Sequence, residues 1–353
     1  GTGIQLGGVS LDCVDPLDAA VQAEIDASEN VSTDGTLVSA IDLSADDFFD
    51  NTTFVGAIEN VDEDWTTGWA FGMPDASGVF GCPVGTTEIA AIDGTTTTCS
   101  IAGTYTTDLV LPRNNIYVLD GAVTIGGDNT DSAILDIQSG TEIVGDDPVD
   151  FLVISRGSQI LARGTQNAPI TFTAADDILG NIANPTTTQG LWGGLVINGN
   201  APINDCPAGI EGGTAGCTKE GEANSGTFGG DDPLDNSGVL NYVVVKFAGS
   251  NVDPQNQLNG IAFQGVGSGT EVDYIQVFNN LDDGVEFFGG TVNSSHVVVF
   301  GNADDSLDGT DGWVGSLQYL HIEQTAGWDN RIEADNRSDD ELATPISEPT
   351  SDN

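Results

Sequence analysis

One stretch of the chain and its copy decide the fold: YIQVFNNLDDGVEFFGG at residues 274–290 and HVVVFGNADDSLDGTDG at residues 296–312. In each copy a short apolar strand precedes a turn that is rich in Asn, Asp and Gly. Asp282 aligns with Asp304, and Ile275 aligns with Val297 at the same offset of 22 residues. A repeat of this length is typical of one coil of a parallel β-helix, in which three short strands and three turns stack on the next coil.

The rest of the chain supports the same interpretation. A looser third copy follows at residues 320–333, and short apolar strands recur upstream from about residue 115 with no helical periodicity between them. An α/β fold needs helical crossovers, so the sequence excludes that class. An antiparallel sandwich also repeats short strands, but a constant offset of strand plus turn favours the solenoid. The sequence therefore predicts an all-β fold, a right-handed parallel β-helix, over residues 111–337.

The segments on either side of the repeats lack the regular strand-and-turn pattern. Residues 1–110 are less regular, and Asp15 before Pro16, followed by apolar residues at helical spacing, predicts one helix there. We interpret this irregular, partly helical segment as an N-terminal cap or assembly segment. Residues 338–353 are polar and acidic and contain two prolines, which indicates an acidic linker or tail.

Charge is the unusual feature of the composition. Seven Lys and Arg residues oppose 55 Asp and Glu residues, which gives a formal net charge of −48 over 353 residues. Such a surface repels nucleic acid and anionic lipid, so neither is expected as a partner. It attracts divalent cations, because Ca²⁺ prefers carboxylate and carbonyl oxygens. General solvation also explains acidic charge, and only local clustering of the acids separates the two explanations.

The cysteines indicate disulfides rather than zinc. The chain has no Cys-X-X-Cys pair, and neither histidine lies near a cysteine in the sequence. Cys82 with Cys99, and Cys206 with Cys217, would each close a short loop, as disulfides do in exported proteins. Cys13 is left over, and spacing alone does not determine the connectivity. No run of 18 apolar residues predicts a membrane span. Without a visible signal peptide, we interpret the chain as a processed product that is secreted and extracellular or at the cell surface.

Two further stretches are distinctive: LWGGLVINGNAPI at residues 191–203 and NGIAFQGVG at residues 259–267. Together with DDGVEFFGG at 282–290 and DDSLD at 304–308, they resemble a family of exported bacterial proteins. That family is similar to the pectate-lyase-like right-handed parallel β-helix superfamily. The resemblance covers roughly residues 115–337. It implies the fold and export from the cell, and it brings no activity with it.

The acids of the two aligned coils are the candidate metal ligands. Equivalent acids on stacked coils would lie about 5 Å apart, and carboxylates that close raise each other's pKa values. A bound cation removes this conflict, and six to eight oxygen ligands suit Ca²⁺. The other interpretation points alternate acids into water or uses Asp side chains to cap turns. The candidate ligands are Asp282, Asp283, Glu286, Asp304, Asp305, Asp308 and Asp311.

These features lead to two main hypotheses about function. The first is an extracellular calcium-binding structural protein, a surface-layer, filament or adhesin subunit, that self-assembles as a homo-oligomer or polymer. The second is a carbohydrate-active β-helix, either a polysaccharide lyase or hydrolase or a module that binds a surface glycan. Trp192, Trp313 and Trp328 are candidates for its sugar-stacking platform, and Lys246 and Arg331 are the candidates for its basic residue. A soluble calcium-dependent binding protein is a third possibility. No catalytic residue is assigned.

Overall fold

A computed structural model describes residues 4–6, 9–11, 81–253, 256–325, 329–337 and 340–352. The chain divides into two compact units, residues 1–79 and residues 80–353. In the first unit, strands β1 (Ile4–Leu6) and β2 (Val9–Leu11) form an antiparallel pair. The helix predicted after Asp15 and the leftover Cys13 lie outside the described residues.

The second unit is a right-handed parallel β-helix. Each coil passes through three faces, here called sheets C, A and B in chain order, and strands that turn a corner contribute to two faces. Sheets A and C share the long strands β15 (Gly238–Lys246), β19 (Glu271–Phe278), β21 (Ser294–Phe300) and β23 (Ser316–Glu323). Sheet A also contains β8 (Glu142–Gly145), β11 (Ile170–Ala174) and the first parts of β4 (Thr98–Tyr105) and β6 (Ile116–Ile125). Sheet C also contains β5 (Leu109–Leu111), β7 (Ile134–Ile137), β10 (Gln159–Arg163) and β24 (Thr350–Asp352).

Sheet B carries the acids of interest. Its strands are the ends of β4 and β6 together with β9 (Phe151–Ile154), β12 (Leu195–Asn198), β18 (Ile261–Gln264), β20 (Val285–Phe288) and β22 (Leu307–Thr310). Shorter elements complete the described unit: β3 (Thr87–Ile89), α1 (Ala175–Ile178) and the hairpins β13 (Lys219–Glu220) with β14 (Thr227–Phe228) and β16 (Asn251–Asp253) with β17 (Asn256–Gln257). No described helix is long and apolar enough to cross a membrane.

The strand register confirms that the 22-residue offset is one coil. Ile275 pairs with Val297 in sheet A, and Glu286 pairs with Asp308 in sheet B. The looser third copy continues the ladder, because Leu307 forms a parallel bridge with Ile332. Side chains alternate between the two faces of a strand, so the aromatic rings of β18 and β20 stack inside the solenoid. The rings of Phe263 and Phe287 lie 5.2 Å apart there.

Aromatic residues form the corners between sheets C and A. Tyr242, Tyr274, His296 and Tyr319 occupy equivalent positions in four successive coils, each with a positive φ between 49° and 59°. Left-handed backbone costs a non-glycine residue about 1–2 kcal/mol. The rings stack with centroid distances of 4.4, 4.1 and 4.6 Å along the series. Such contacts are worth about 0.5–1.5 kcal/mol each, so stacking offsets much of the backbone cost.

Both predicted disulfides are present, Cys82–Cys99 and Cys206–Cys217. The second one closes a loop within the insertion, which we define as residues 199–237 between β12 and β15. Two boundaries differ from the sequence interpretation. The division at residue 110 falls inside β5, and the segment proposed as a tail contains β24, which pairs in parallel with β23. The open edge of β23 supplies hydrogen-bonding partners that composition alone does not reveal.

Candidate metal centre

The strand acids lie on the outer face of sheet B. In β20 and β22, alternation places Val285, Phe287 and Leu307 toward the core, so the acidic positions between them point outward. Register then brings Glu286 of one coil beside Asp308 of the next. Glu286 is nevertheless only 7% exposed, because neighbouring side chains cover it.

The turn acids lie just before these strands, where they accept backbone hydrogen bonds from the next coil. The backbone N–H of Asp305 donates to Asp283 Oδ1 at 2.9 Å, and one coil later the N–H of Asn330 donates to Asp305 Oδ1 at 2.6 Å. These bonds cap the turns, as one interpretation of the sequence proposed. Each carboxylate has a second oxygen, so capping leaves Asp283 and Asp305 able to act as ligands.

Six of the seven predicted ligands converge. In each of three groups, one carboxylate oxygen per residue lies within 4.8 Å of the others. We call two of these groups the inner group and the outer group. The remaining one, the linking group, shares one residue with each of them. The inner group is Asp283, Glu286 and Asp308; the outer group is Asp304, Asp305 and Asp329; the linking group is Asp282, Asp283 and Asp304.

Asp311 has a different partner. Its Oδ2 lies 2.9 Å from Nζ of Lys219, and the same ammonium group lies 2.7 Å from Asp205 Oδ2. The structure therefore places this predicted ligand in a salt-bridge triad with the insertion rather than in any of the three groups.

Two residues that the sequence reasoning missed complete the inner group's surroundings. Asn259 Nδ2 donates to Glu286 Oε2 at 2.5 Å and to Glu222 Oε2 at 3.2 Å. Asn259 is 1% exposed, and its Oδ1 has no hydrogen-bond partner among the described residues. The sequence repeat could have identified Asn259, because its Asn-Gly pair aligns with Asp283-Gly284 one coil later. Glu222 lies in the insertion, where no repeat points to it.

Burial dominates the electrostatics of this cluster. Desolvation raises the pKa of Asp282 to about 6, of Glu222 to about 7 and of Asp283 to about 9, and the neighbouring carboxylates add to each shift. Burial also raises the pKa of Glu286 well above its usual range, and this residue shares a hydrogen bond with Asp308. Among the described residues, no lysine or arginine forms a salt bridge with the inner group. Only protons or a bound cation can therefore relieve its repulsion.

The sequence was also compared with known proteins. A family model described as the pectate-lyase like beta helix domain matches residues 103–353, which is more than half of the chain. The chain belongs to this pectate-lyase-like β-helix family. No curated protein and no solved structure matches the sequence.

The family assignment covers the complete acid cluster and the insertion. In this pectate-lyase-like β-helix, the spacing between coils determines the spacing between the strand acids. The turns before β20 and β22 place further carboxylates close to these strand acids. Such an array of hard oxygen atoms is suited to Ca²⁺. The two disulfides are compatible with an extracellular location.

Proposed function

We propose that this chain is an extracellular calcium-binding structural protein that self-assembles, with Ca²⁺ held by the acid cluster on sheet B. The observation that carries the proposal is the inner group. Asp283, Glu286 and Asp308 bring three carboxylate oxygens within 4.8 Å of one another without a basic partner among the described residues. A buried array of like charges is costly unless a cation neutralises it.

The donor set favours calcium over softer metals. The inner group has only carboxylate oxygens, and the nearby unpartnered Oδ1 of Asn259 is a neutral oxygen of the kind that Ca²⁺ accepts. Neither a cysteine nor a histidine belongs to the three groups of the described structure, whereas zinc prefers sulfur and nitrogen ligands. The outer group offers a second, more exposed place for a cation.

The charge of the whole chain would make self-assembly dependent on calcium. Two copies with a net charge of −48 repel each other, and this repulsion keeps strongly charged proteins apart. Calcium bound to the acidic face of sheet B would lower that repulsion and could bridge two such faces. An extracellular β-helix whose contacts depend on calcium suits a surface layer, filament or adhesin.

The carbohydrate-active alternative has less support. Trp192 and Trp313 are 0% and 2% exposed, so neither offers a face to a sugar, and Trp328 lies outside the described residues. Lys219 lies at the cluster, yet Asp205 and Asp311 both contact its ammonium group. Burial lowers the pKa of Lys219, but these carboxylates outweigh that effect and raise it. A lysine held protonated in this way is a poor base for proton abstraction.

Titration calorimetry with CaCl₂, followed by light scattering in EDTA and in calcium, tests the proposal. We expect the wild-type chain to bind Ca²⁺ and to form larger particles. Glu286→Gln should weaken binding at least about tenfold, whereas Asp231→Asn, which removes an exposed carboxylate of the insertion, should not.

Each contrary outcome has a distinct meaning. Calcium binding without particle growth would refute self-assembly and make glycan screening the next experiment. The absence of calcium binding would refute the metal centre itself.

A further inference from the structure

The insertion carries a hairpin that reaches the acid cluster. Strands β13 and β14 pair with each other, and a short 3₁₀ helix, Glu222–Asn224, lies between them. Phe228 of the hairpin is buried, with its ring centroid 6.1 Å from that of Phe288 on β20. Lys219 at the start of the hairpin bonds to Asp311. The base of the hairpin is thus anchored on sheet B by an apolar contact and an ion pair.

The tip of the hairpin is held differently. Glu222 receives a hydrogen bond from Asn259 Nδ2, and the same nitrogen donates to Glu286. One amide group therefore lies between two carboxylates that repel each other. Its own oxygen is buried and has no hydrogen-bond partner among the described residues, so it is available to accept a donor or a cation.

We propose that Glu222 is a further ligand of the cation at the inner group, so that cation binding clamps the β13–β14 hairpin onto sheet B. This inference rests on the proposed calcium site and adds to it a ligand from a distant part of the chain. A cation bound by both Glu222 and Glu286 would replace their repulsion with attraction to one positive charge, provided that Asn259 turns its amide so that Oδ1 rather than Nδ2 faces the cation. The Lys219–Asp311 pair and the packing of Phe228 near Phe288 keep the insertion near the sheet in either state.

The hairpin also lines a cavity over sheet B. Residues 224–227 form one wall of a cavity of about 340 Å³, and Thr124, Val153 and Asn198 of sheet B lie among its other lining residues. Because residues 224–227 follow Glu222 directly in the chain, a shift of Glu222 on cation binding would move this part of the cavity wall. Cation binding would therefore change the shape of the cavity.

The test compares Glu222→Gln with Glu211→Gln, an exposed glutamate of the same insertion. Calcium affinity is measured by titration calorimetry, and amide hydrogen exchange of residues 221–227 is measured with and without CaCl₂. In the wild type, calcium should slow exchange across these residues. E222Q should bind calcium at least about tenfold more weakly and lose the calcium-dependent protection, whereas E211Q should behave as the wild type.

The outcomes separate this inference from the proposed function. If the wild type binds no calcium, the metal centre is refuted and the clamp with it. If the wild type binds calcium and E222Q retains the same affinity and protection, the clamp alone is wrong. Melting in EDTA checks the fold of E222Q. If that variant melts early, Glu222→Asp, which keeps the charge but withdraws it by one methylene, provides the same two readouts.

Discussion

Asp283→Asn should affect stability in opposite ways with and without calcium. Two unit charges 4.8 Å apart, the limit for oxygens of the inner group, repel by about 3 kcal/mol at an effective dielectric constant of about 20. We count one such pair, because Glu286 and Asp308 share a hydrogen bond and thus one proton. Asparagine removes the charge and keeps an oxygen that can accept the N–H of Asp305, now at 2.9 Å.

In EDTA at pH 10, where Asp283 is ionised because the pH lies above its raised pKa of about 9, the variant should therefore be more stable by about 3 kcal/mol, which corresponds to a rise in Tm of roughly 6–10 °C. In calcium the comparison changes. A ligand at 100 times its Kd stabilises a protein by about 2.7 kcal/mol, and the variant should lose most of this gain because it lacks a charged ligand.

Thermal melts of the wild type, D283N and the control Asp231→Asn, each in EDTA and in millimolar CaCl₂, measure both effects. The exposed control should change stability by less than about 0.5 kcal/mol in either condition. A lower Tm of D283N in EDTA would show that Asp283 is not under electrostatic strain. An unchanged calcium-dependent rise in Tm would show that it is not a ligand.

Three further predictions concern pH, packing and the insertion. Burial raises the pKa of Glu222 to about 7 and of Asp283 to about 9, so the metal-free folded state binds more protons than the unfolded chain between about pH 4 and pH 9. The Tm of the protein in EDTA should fall as pH rises through this window. In calcium, the decrease in Tm over the same window should be smaller. Phe287→Ala should cost about 3–5 kcal/mol in denaturant unfolding, because its fully buried ring stacks on Phe263 and Trp313. Replacing Cys206 and Cys217 by serine should speed amide exchange of residues 206–217 and destabilise that loop by about 2–3 kcal/mol, while exchange within sheet B stays slow.

Much of the fold could be predicted from residues 274–312. Neighbouring coils pair strand by strand, so a constant offset of 22 residues predicts which residues are partners. Glu286 lies beside Asp308, as that offset of 22 residues requires. The short spacing of Cys82 and Cys99, and of Cys206 and Cys217, likewise made both disulfides accessible to sequence reasoning. The coil pairing could be predicted because its contacts recur along the chain at a fixed interval, and the disulfides because each closes a short loop.

The surroundings of the cluster needed the tertiary structure. Glu222 and Lys219 belong to an insertion that interrupts the period, so no offset relates them to Glu286 or Asp311. Their positions depend on long-range contacts, the packing of Phe228 near Phe288 and the ion pair of Lys219. The burial of Asp283, which raises its pKa, also depends on which residues cover the outer face of sheet B.

The sequence by itself determined the solenoid and the row of acids on one of its faces, because periodicity specifies how each coil stacks on the next. Only the tertiary structure decided that Asp311 pairs with Lys219, and that Glu222 and Glu286 accept hydrogen bonds from the same Asn259 amide. The physical reason is that an insertion folds back wherever apolar burial and charge pairing favour it, and no repeat in the chain encodes that position.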